Sequence, residues 1–403
     1  MRILHTADWH LGHTLREYDR TWEHSQFLEW LIVTLEQERI DALIIAGDVF
    51  DTSNPSAEAQ AQYYEFLAMV AERCANLQVV VVGGNHDSAN RLDAPEPVLR
   101  RLRVHVTGGL RLNDSTADVA RAVVSLQTRH GRPGACVAAM PFLRPADLPR
   151  TEGTGDELIA GMAQAYAMVL AETRKKLARG SALIATGHLY MVGGQTSELS
   201  ERKILGGNQH AVPVDLFPRD VAYAALGHLH LAQAVGGREG VRYSGSPIPL
   251  SVAEAEYPHQ VCIIEIEGDH LVGVHSLKVP RAVDIVRLDG VTMDDVRNYH
   301  FASEGDVPIE RRPYLHVRVR VEGPHPSIRS DIESALAGKA IRLASLQVER
   351  DGDGKPLVDC RLGESLRELL PEQVFRALYA REHKGDPDPQ LLGAFNELMG
   401  EAA

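Results

Sequence analysis

The chain has 403 residues with 44% hydrophobic and 24% charged content, enough for two or three folded domains and ordinary for a globular protein. Its formal charge of −13 counts against a generic basic coat for nucleic acid, so nucleic-acid binding would need local patches or a partner protein. No apolar run approaches the ~20 residues that span a bilayer, the N-terminus carries no export signal, and Cys74, Cys136, Cys262 and Cys360 form no CxxC pair. A reduced cytoplasmic protein without membrane contact is expected.

Along the chain, short apolar strands alternate with longer amphipathic segments. RILHTA (2–7) reads as a strand, the spacing of Trp22, Phe27, Trp30, Leu31 and Leu35 predicts a helix, and ALIIAG (42–47) is a strand again. A second helix runs through Tyr63, Phe66, Leu67 and Val70, and QVVVVGG (78–84) is another buried strand. ACVAAM, ALIATG and YAALG continue the pattern, with a helix near residues 156–179, and VCIIEIEG reads as an antiparallel strand with polar alternation. The fold class is therefore α/β. From about residue 282, a strand, helix, strand, helix, strand order (DIVRLDG, YLHVRVRVEG, IRLASLQVER) predicts a separate small α+β unit at 281–350 after a main domain at 1–280. The segment 351–403 opens on a turn-rich DGDGKP linker. Its position six is Pro356 and its position twelve Leu362, where a calcium loop needs Gly and Glu. Two amphipathic helices follow, around Val374, Phe375, Leu378 and Tyr379 and around Leu391, Leu392, Phe395, Leu398 and Met399. Basic runs at Arg100, Arg101 and Arg103 and at Arg174, Lys175, Lys176 and Arg179 read at least as well as solvated faces as they do as nucleic-acid patches.

In GHLH, His228 and His230 are spaced to point to one side of a strand end, though 18 histidines make one such pair expected by chance. The other strand ends decide its meaning. They run into Asp8-Trp9-His10, Gly47-Asp48, Gly84-Asn85-His86-Asp87 and Gly187-His188. Each alone is a common turn or a hydrogen-bonded pair, but together they place ligand-type residues at the carboxyl edge, where α/β sheets form sites. Glycine before Asp48, Asn85, His188 and His228 is expected to permit a sharp exit from the strand. His5 reads as core. His13 could approach a substrate but has no visible partner.

This order, D-x-H, G-D, G-N-H-D, H, G-H-x-H, resembles that of the calcineurin-like metallophosphoesterases. The stretches MRILHTADWHLG, AGDVFD, GGNHDS, PFLRP, ATGHL, ALGHLH and RYSGSPIPLS, with LLPEQVF near the C-terminus, are similar to the SbcD-type nucleases over nearly the whole chain. The resemblance implies a β-sandwich flanked by helices. It implies one metal on Asp8, His10, Asp48 and His230 and a second on Asp48, Asn85, His188 and His228, with Asp48 bridging and manganese as the ion. It assigns His86 a catalytic role in transition-state stabilisation and leaving-group protonation; the adjacent Asp87 is expected to share the catalytic role by orienting the His86 ring, the usual carboxylate–imidazole pairing. It implies DNA as substrate, a capping role for 281–350, docking of the terminal helices on an SbcC-type ATPase, and a homodimer. Asp51 stands where archaeal relatives carry histidine, which leaves its role open.

The chemistry suits those residue types. Two divalent cations balanced by two carboxylates and a hydroxide leave about one positive charge to meet a phosphodiester's single negative one. Mixed nitrogen and oxygen donors suit manganese but also iron, zinc or cobalt. The leading expectation is a two-metal DNA nuclease acting on duplex ends, single strands or hairpins. A phosphatase or phosphodiesterase of the same superfamily is the alternative, and a silent scaffold the third reading, against which the intact ligand set counts. The chain has no GxxxxGK[ST] loop, so ATP dependence would come from a partner.

Overall fold

Strand Ala42–Ala46 is buried at every position, and its side chains alternate between two cores. Leu43 and Ile45 join a cluster with helix residues Phe27, Leu31, Phe66 and Leu67, while Ala42 and Ile44 face Val137, Ile184 and Tyr223 of a second sheet. Val79 and Val81 of Gln78–Val82 divide from Val80 and Val82 in the same way. Strands covered on both faces read as continuous apolar runs, which is why ALIIA and QVVVV lack polar alternation.

The computed structural model describes residues 1–112, 116–151, 156–195, 211–300, 307–321, 325 and 327–350, together with Tyr379, Pro387, Asp388 and Leu391. Two six-stranded sheets stack face to face. The first runs His270–Lys278, Gln260–Glu267, Arg2–Thr6, Ala42–Ala46, Gln78–Val82, Val104–Thr107, and the second Gln233–Val235, Arg238–Tyr243, Val221–Gly227, Ala182–His188, Pro133–Ala138, Val123–Gln127. The central strands of each sheet are parallel. Gln260–Glu267 pairs antiparallel with Arg2–Thr6, as the sequence predicts, but is buried at all positions except Glu265 and Glu267.

Helices Thr21–Gln37 and Ala57–Arg73 cover the outer face of the first sheet, and Glu157–Lys176 covers that of the second through Tyr166, Val169 and Leu170. Ser56 and Asp156 start the latter two helices by accepting backbone N–H bonds. The result is a β-sandwich flanked by helices. Both basic runs lie in ordinary solvated settings, with Arg100 paired to Glu96, Arg174 to Asp220 and Lys175 to Glu172.

After the sandwich come Ile285–Val291, Met293–Asn298, Tyr314–Val321, Ile328–Leu336 and Arg342–Arg350, whose strands form a three-stranded sheet in that order. Leu15, Val283, Tyr314 and Ala344 share a small core with Tyr18 and Trp22. The chain divides into two compact units, one of Met1–Val319 with Pro326–Gln347 and one of Arg320–His325 with Val348–Ala403. The expected terminal helices lie, except for Tyr379 and Leu391, outside the described residues. No helix among the described residues is long and apolar enough to cross a membrane.

Candidate metal centre

The carboxyl ends of both sheets converge. Asp8 and His10 follow Arg2–Thr6, Asp48 follows Ala42–Ala46, and Asn85, His86 and Asp87 follow Gln78–Val82; from the second sheet, His188 ends its strand and His228 and His230 follow Val221–Gly227. The sharp exits are taken by the ligand-type residues themselves. Asp8, His10, Asp48 and His228 have φ of 56°, 49°, 49° and 101°, a conformation that costs non-glycine residues free energy and clusters at functional sites. Of the four glycines expected to make the turns, Gly47 alone has a positive φ, and the others are needed for close approach. A Cβ on Gly84 would lie 2.1 Å from Asp48 Oδ1, and one on Gly227 would lie 2.0 Å from the Ala46 carbonyl oxygen.

Three of the expected ligand histidines have Nδ1 engaged on an acceptor outside the expected ligand set, which leaves Nε2 as the donor to a cation. His10 Nδ1 meets Asp51 Oδ1 at 3.1 Å, His188 Nδ1 meets the Ala46 carbonyl at 2.9 Å, and His230 Nδ1 meets Glu254 Oε1 at 3.0 Å. His188 Nε2 then faces Asp48 Oδ2 at 3.2 Å and Asn85 Oδ1 at 2.9 Å, and Asn85 Oδ1 lies 3.0 Å from His228 Nδ1. Donor atoms of Asp8, His10 and His230 lie within 4.8 Å of one another, as do those of Asp8, Asp48 and His188 and those of His10, Asp48 and His86. Asp8 Oδ2 and His10 Nε2 are buried with no hydrogen-bond partner, the condition of atoms arranged for a cation. The donor set therefore fits divalent metal.

Charge separates the groups. Burial works against ionising Asp48, yet the adjoining His188 and His10 hold its carboxyl far below the usual range. Burial likewise opposes a proton on His188, but Asp48 overrides it and lifts that imidazole to about 9. Burial, and then the charge of His188, pushes His228 down to about 3, so it presents a neutral ring. Burial raises Asp8.

Asp87 is a correction to the expectation. Its carboxylate accepts the backbone N–H groups of Val49, Phe50 and Gly84 at 3.1, 3.0 and 2.9 Å, fixing the loop after Asp48 rather than the His86 ring. His86 Nδ1 instead meets the carbonyl oxygen of Asp51 at 2.7 Å, and the His86 N–H donates to Asp48 Oδ1 at 2.9 Å. Asp51 thus holds His10 with its side chain and His86 with its backbone. Glu254 was not singled out in the sequence, where nothing separates it from Glu256. His86 lies 4.8 Å ring to ring from His10, inside the cluster. His5, fully buried and bonded to the Tyr223 hydroxyl, is core as expected.

The model of the calcineurin-like phosphoesterases matches residues 1–232, and that of the type 5 capsule protein repressor C-terminal domain matches 282–383. The SbcD component of the SbcCD nuclease of Rhodobacter capsulatus is 40% identical over 391 residues, 94% of either chain. Its counterpart in Escherichia coli K12 is 33% identical over 403 residues, covering 97% of this chain and 96% of that one. That of Bacillus subtilis is 36% identical over 273 residues, 66% of either chain. With the metal-type cluster at the common edge of two stacked sheets and relatives that span nearly its whole length, the chain belongs to the calcineurin-like phosphoesterases and, within them, to the SbcD components of the SbcCD nucleases.

Proposed function

We propose that the chain cleaves DNA with two divalent cations, manganese by preference, as an exonuclease on duplex ends and an endonuclease on single strands and hairpins. It acts in end processing and repair with an SbcC-type ATPase and as a homodimer in the cytoplasm. The observation that carries this reading is the convergence of Asp8, His10, Asp48, Asn85, His188, His228 and His230 from five strand ends, with Asp8 Oδ2 and His10 Nε2 buried and without hydrogen-bond partners and His10 Nε2 3.6 Å from Asp48 Oδ2. The names of the full-length relatives supply the substrate class.

Asp8, His10, Asp48 and His230 would hold one cation and Asp48, Asn85, His188 and His228 the other. Bound there, the ions would acidify a water and offset charge on the phosphoryl oxygens. The chain's own groups do the rest. Asp51, Ala46 and Glu254 fix the tautomers of His10, His188 and His230. Asp87 ties the loop after Asp48 to the loop after Gly84, so Asp48 and His86 hold their separation. With its Nδ1 on the Asp51 carbonyl, His86 stands beside the cluster, where its ring can stabilise charge developing on the phosphoryl group and pass a proton to the leaving oxygen. Residues 281–350 cap this edge, and 351–403 dock the ATPase.

The test is purified chain with manganese on linear duplex, hairpin and single-stranded DNA, beside a small chromogenic phosphodiester. DNA should be the better substrate by catalytic efficiency. Equal efficiency on both would favour the phosphodiesterase alternative.

A further inference from the structure

Beyond the metal centre, a buried polar path runs from the small three-stranded sheet to the ligand-type residue His230. The Tyr314 hydroxyl, on the middle strand of that sheet, donates to Glu23 Oε1 at 2.7 Å. Glu23 grips Arg20 through two bonds, Nε to Oε1 at 3.0 Å and Nη2 to Oε2 at 2.5 Å. Arg20 Nη1 donates to the Pro249 carbonyl oxygen. The N–H on the other side of the same peptide group, that of Leu250, donates to Glu254 Oε2 at 2.8 Å, and Glu254 Oε1 meets His230 Nδ1 at 3.0 Å. Arg20, Glu23, Glu254 and Tyr314 are each at most 3% exposed.

Three features make this more than a string of neighbours. The peptide 249–250 is planar and is held on both edges, so a rotation imposed at its oxygen reappears at its N–H. The charged links are desolvated, where hydrogen bonds are strong and an unmatched partner is costly, so the links hold or fail together. Tyr314 is also clamped from its other side: the Arg342 guanidinium lies 3.8 Å from its ring centroid, and Arg342 Nε bonds the Arg312 carbonyl at 2.8 Å. A shift of the small sheet therefore moves the Tyr314 hydroxyl rather than letting it slip. None of these residues touches the site of chemistry except through Glu254.

We propose that Tyr314, Glu23, Arg20 and Glu254 are positioning residues that couple the placement of the 285–350 sheet to the imidazole of His230, and so to the affinity of the cation His230 helps hold. The proposal rests on the two-cation reading for its ligand, but not on DNA as the substrate. It gives an element outside the metal cluster a direct means of tuning one of two ions.

Full-length chain carrying Tyr314→Phe, Glu254→Gln or both would be equilibrated with manganese against graded chelator, bound metal counted by mass spectrometry, and urea unfolding followed in parallel. Loss of an outer partner of a ligating histidine typically weakens metal binding 10- to 100-fold, and about that is expected for Glu254→Gln at one of the two ions. Tyr314→Phe should weaken the same ion by roughly fivefold and leave the other unchanged. In the double variant the two effects should not multiply, because Glu254→Gln already cuts the path. Glu23→Gln serves the same comparison if Tyr314→Phe does not fold. Wild-type manganese affinity in Tyr314→Phe, or independent multiplication in the double variant, would overturn the coupling. DNA cleavage measured on the same samples separates the two ideas: a chain that couples its metal as described but prefers the small diester refutes the nuclease reading alone.

Discussion

At the scale of single residues, the proposed function separates groups that would hold metal from groups that would act beside it. Asp48 sits between both donor sets, with His188 on Oδ2 and the His86 N–H on Oδ1, so Asp48→Asn should lower both ions together. His86→Ala should keep metal content near normal while removing most turnover, about the 10²–10⁴-fold that a positioned general acid contributes. Mass spectrometry of the dialysed variants decides this, and loss of one ion per chain in His86→Ala would make His86 a ligand, as its place beside His10 and Asp48 permits geometrically. Gly84→Ala is the sharper probe of packing. Its added carbon would fall 2.1 Å from Asp48 Oδ1 and 2.3 Å from the Asp48 backbone nitrogen, and backbone cannot step aside as a side-chain tip can. We expect lost metal and activity with a protein that still expresses folded, read by metal content beside circular dichroism. The Asp, His and Asn ligand types were legible in the sequence because their motifs recur at strand ends. Asp51 and Glu254 act through hydrogen bonds to histidines distant in the chain, and such pairings leave no local pattern in one sequence.

At the scale of elements, the legible parts are those where one face meets one kind of neighbour. The helices through Phe27 and Phe66 follow the predicted periodicity because each buries a single stripe, and the five-element order after residue 282 is the predicted one. Strand His270–Lys278 escaped notice: it is an edge strand, half-exposed along its length, and its pairing with Gln260–Glu267 depends on register alone. Burial of polar groups inside such elements has a pH signature. His5, in the first strand, and His24, in the first helix, are fully buried, and burial lowers both to about 3. Their folded pKa lies below the unfolded value near 6.5, so below that pH the unfolded chain takes up protons that the fold refuses. Stability is complete above about pH 6.5 and falls as pH drops toward 3, by up to about 1.4 kcal/mol per pH unit for each histidine. Asp87, raised to about 6 by burial and by the charge of Asp48, works in the opposite sense over the lower part of that range. Comparing His5→Gln with the parent isolates one term: with chelator present, its loss of unfolding free energy between pH 7.5 and 5.5 should be smaller by about 1.4 kcal/mol. Equal losses in both proteins would mean that His5 is protonated in the folded state.

At the scale of the molecule, the difficulty is how a chain of charge −13 meets a polyanion. Bulk charge was legible from composition; which arginines remain available was not, because that depends on how each acid is engaged. Beside the metal edge lies a cavity of about 510 Å³ lined by Ser53, Asp87, Asp93, Arg111, Arg144 and Asp147, among others. Its acids are occupied. Asp87 binds three backbone N–H groups, Asp93 binds the Gly108 N–H and Arg121, Asp118 binds the Arg111 N–H, and Asp147 binds the Arg144 N–H. The guanidinium groups of Arg111 and Arg144 make no ion pair among the described residues, and Arg144 rests 5.7 Å over the Phe142 ring, itself 6.3 Å from His188. Under the proposed function these two arginines are cations open to phosphates flanking the scissile one. Each phosphate contact releases counterions and steepens the fall of binding with salt, by about 0.9 in the logarithmic slope for duplex DNA. Arg111→Ala and Arg144→Ala should therefore each weaken DNA binding and flatten that slope by roughly one, with the effect independent of DNA sequence. Hydrolysis of the small diester, which reaches only the metal centre, should be unchanged in both. Fluorescence anisotropy across a salt series, on catalytically silenced His86→Ala background, supplies the slopes; a parallel shift of the line without a change in slope would show that neither guanidinium meets phosphate, and would move the search for the DNA path to another edge of the sandwich.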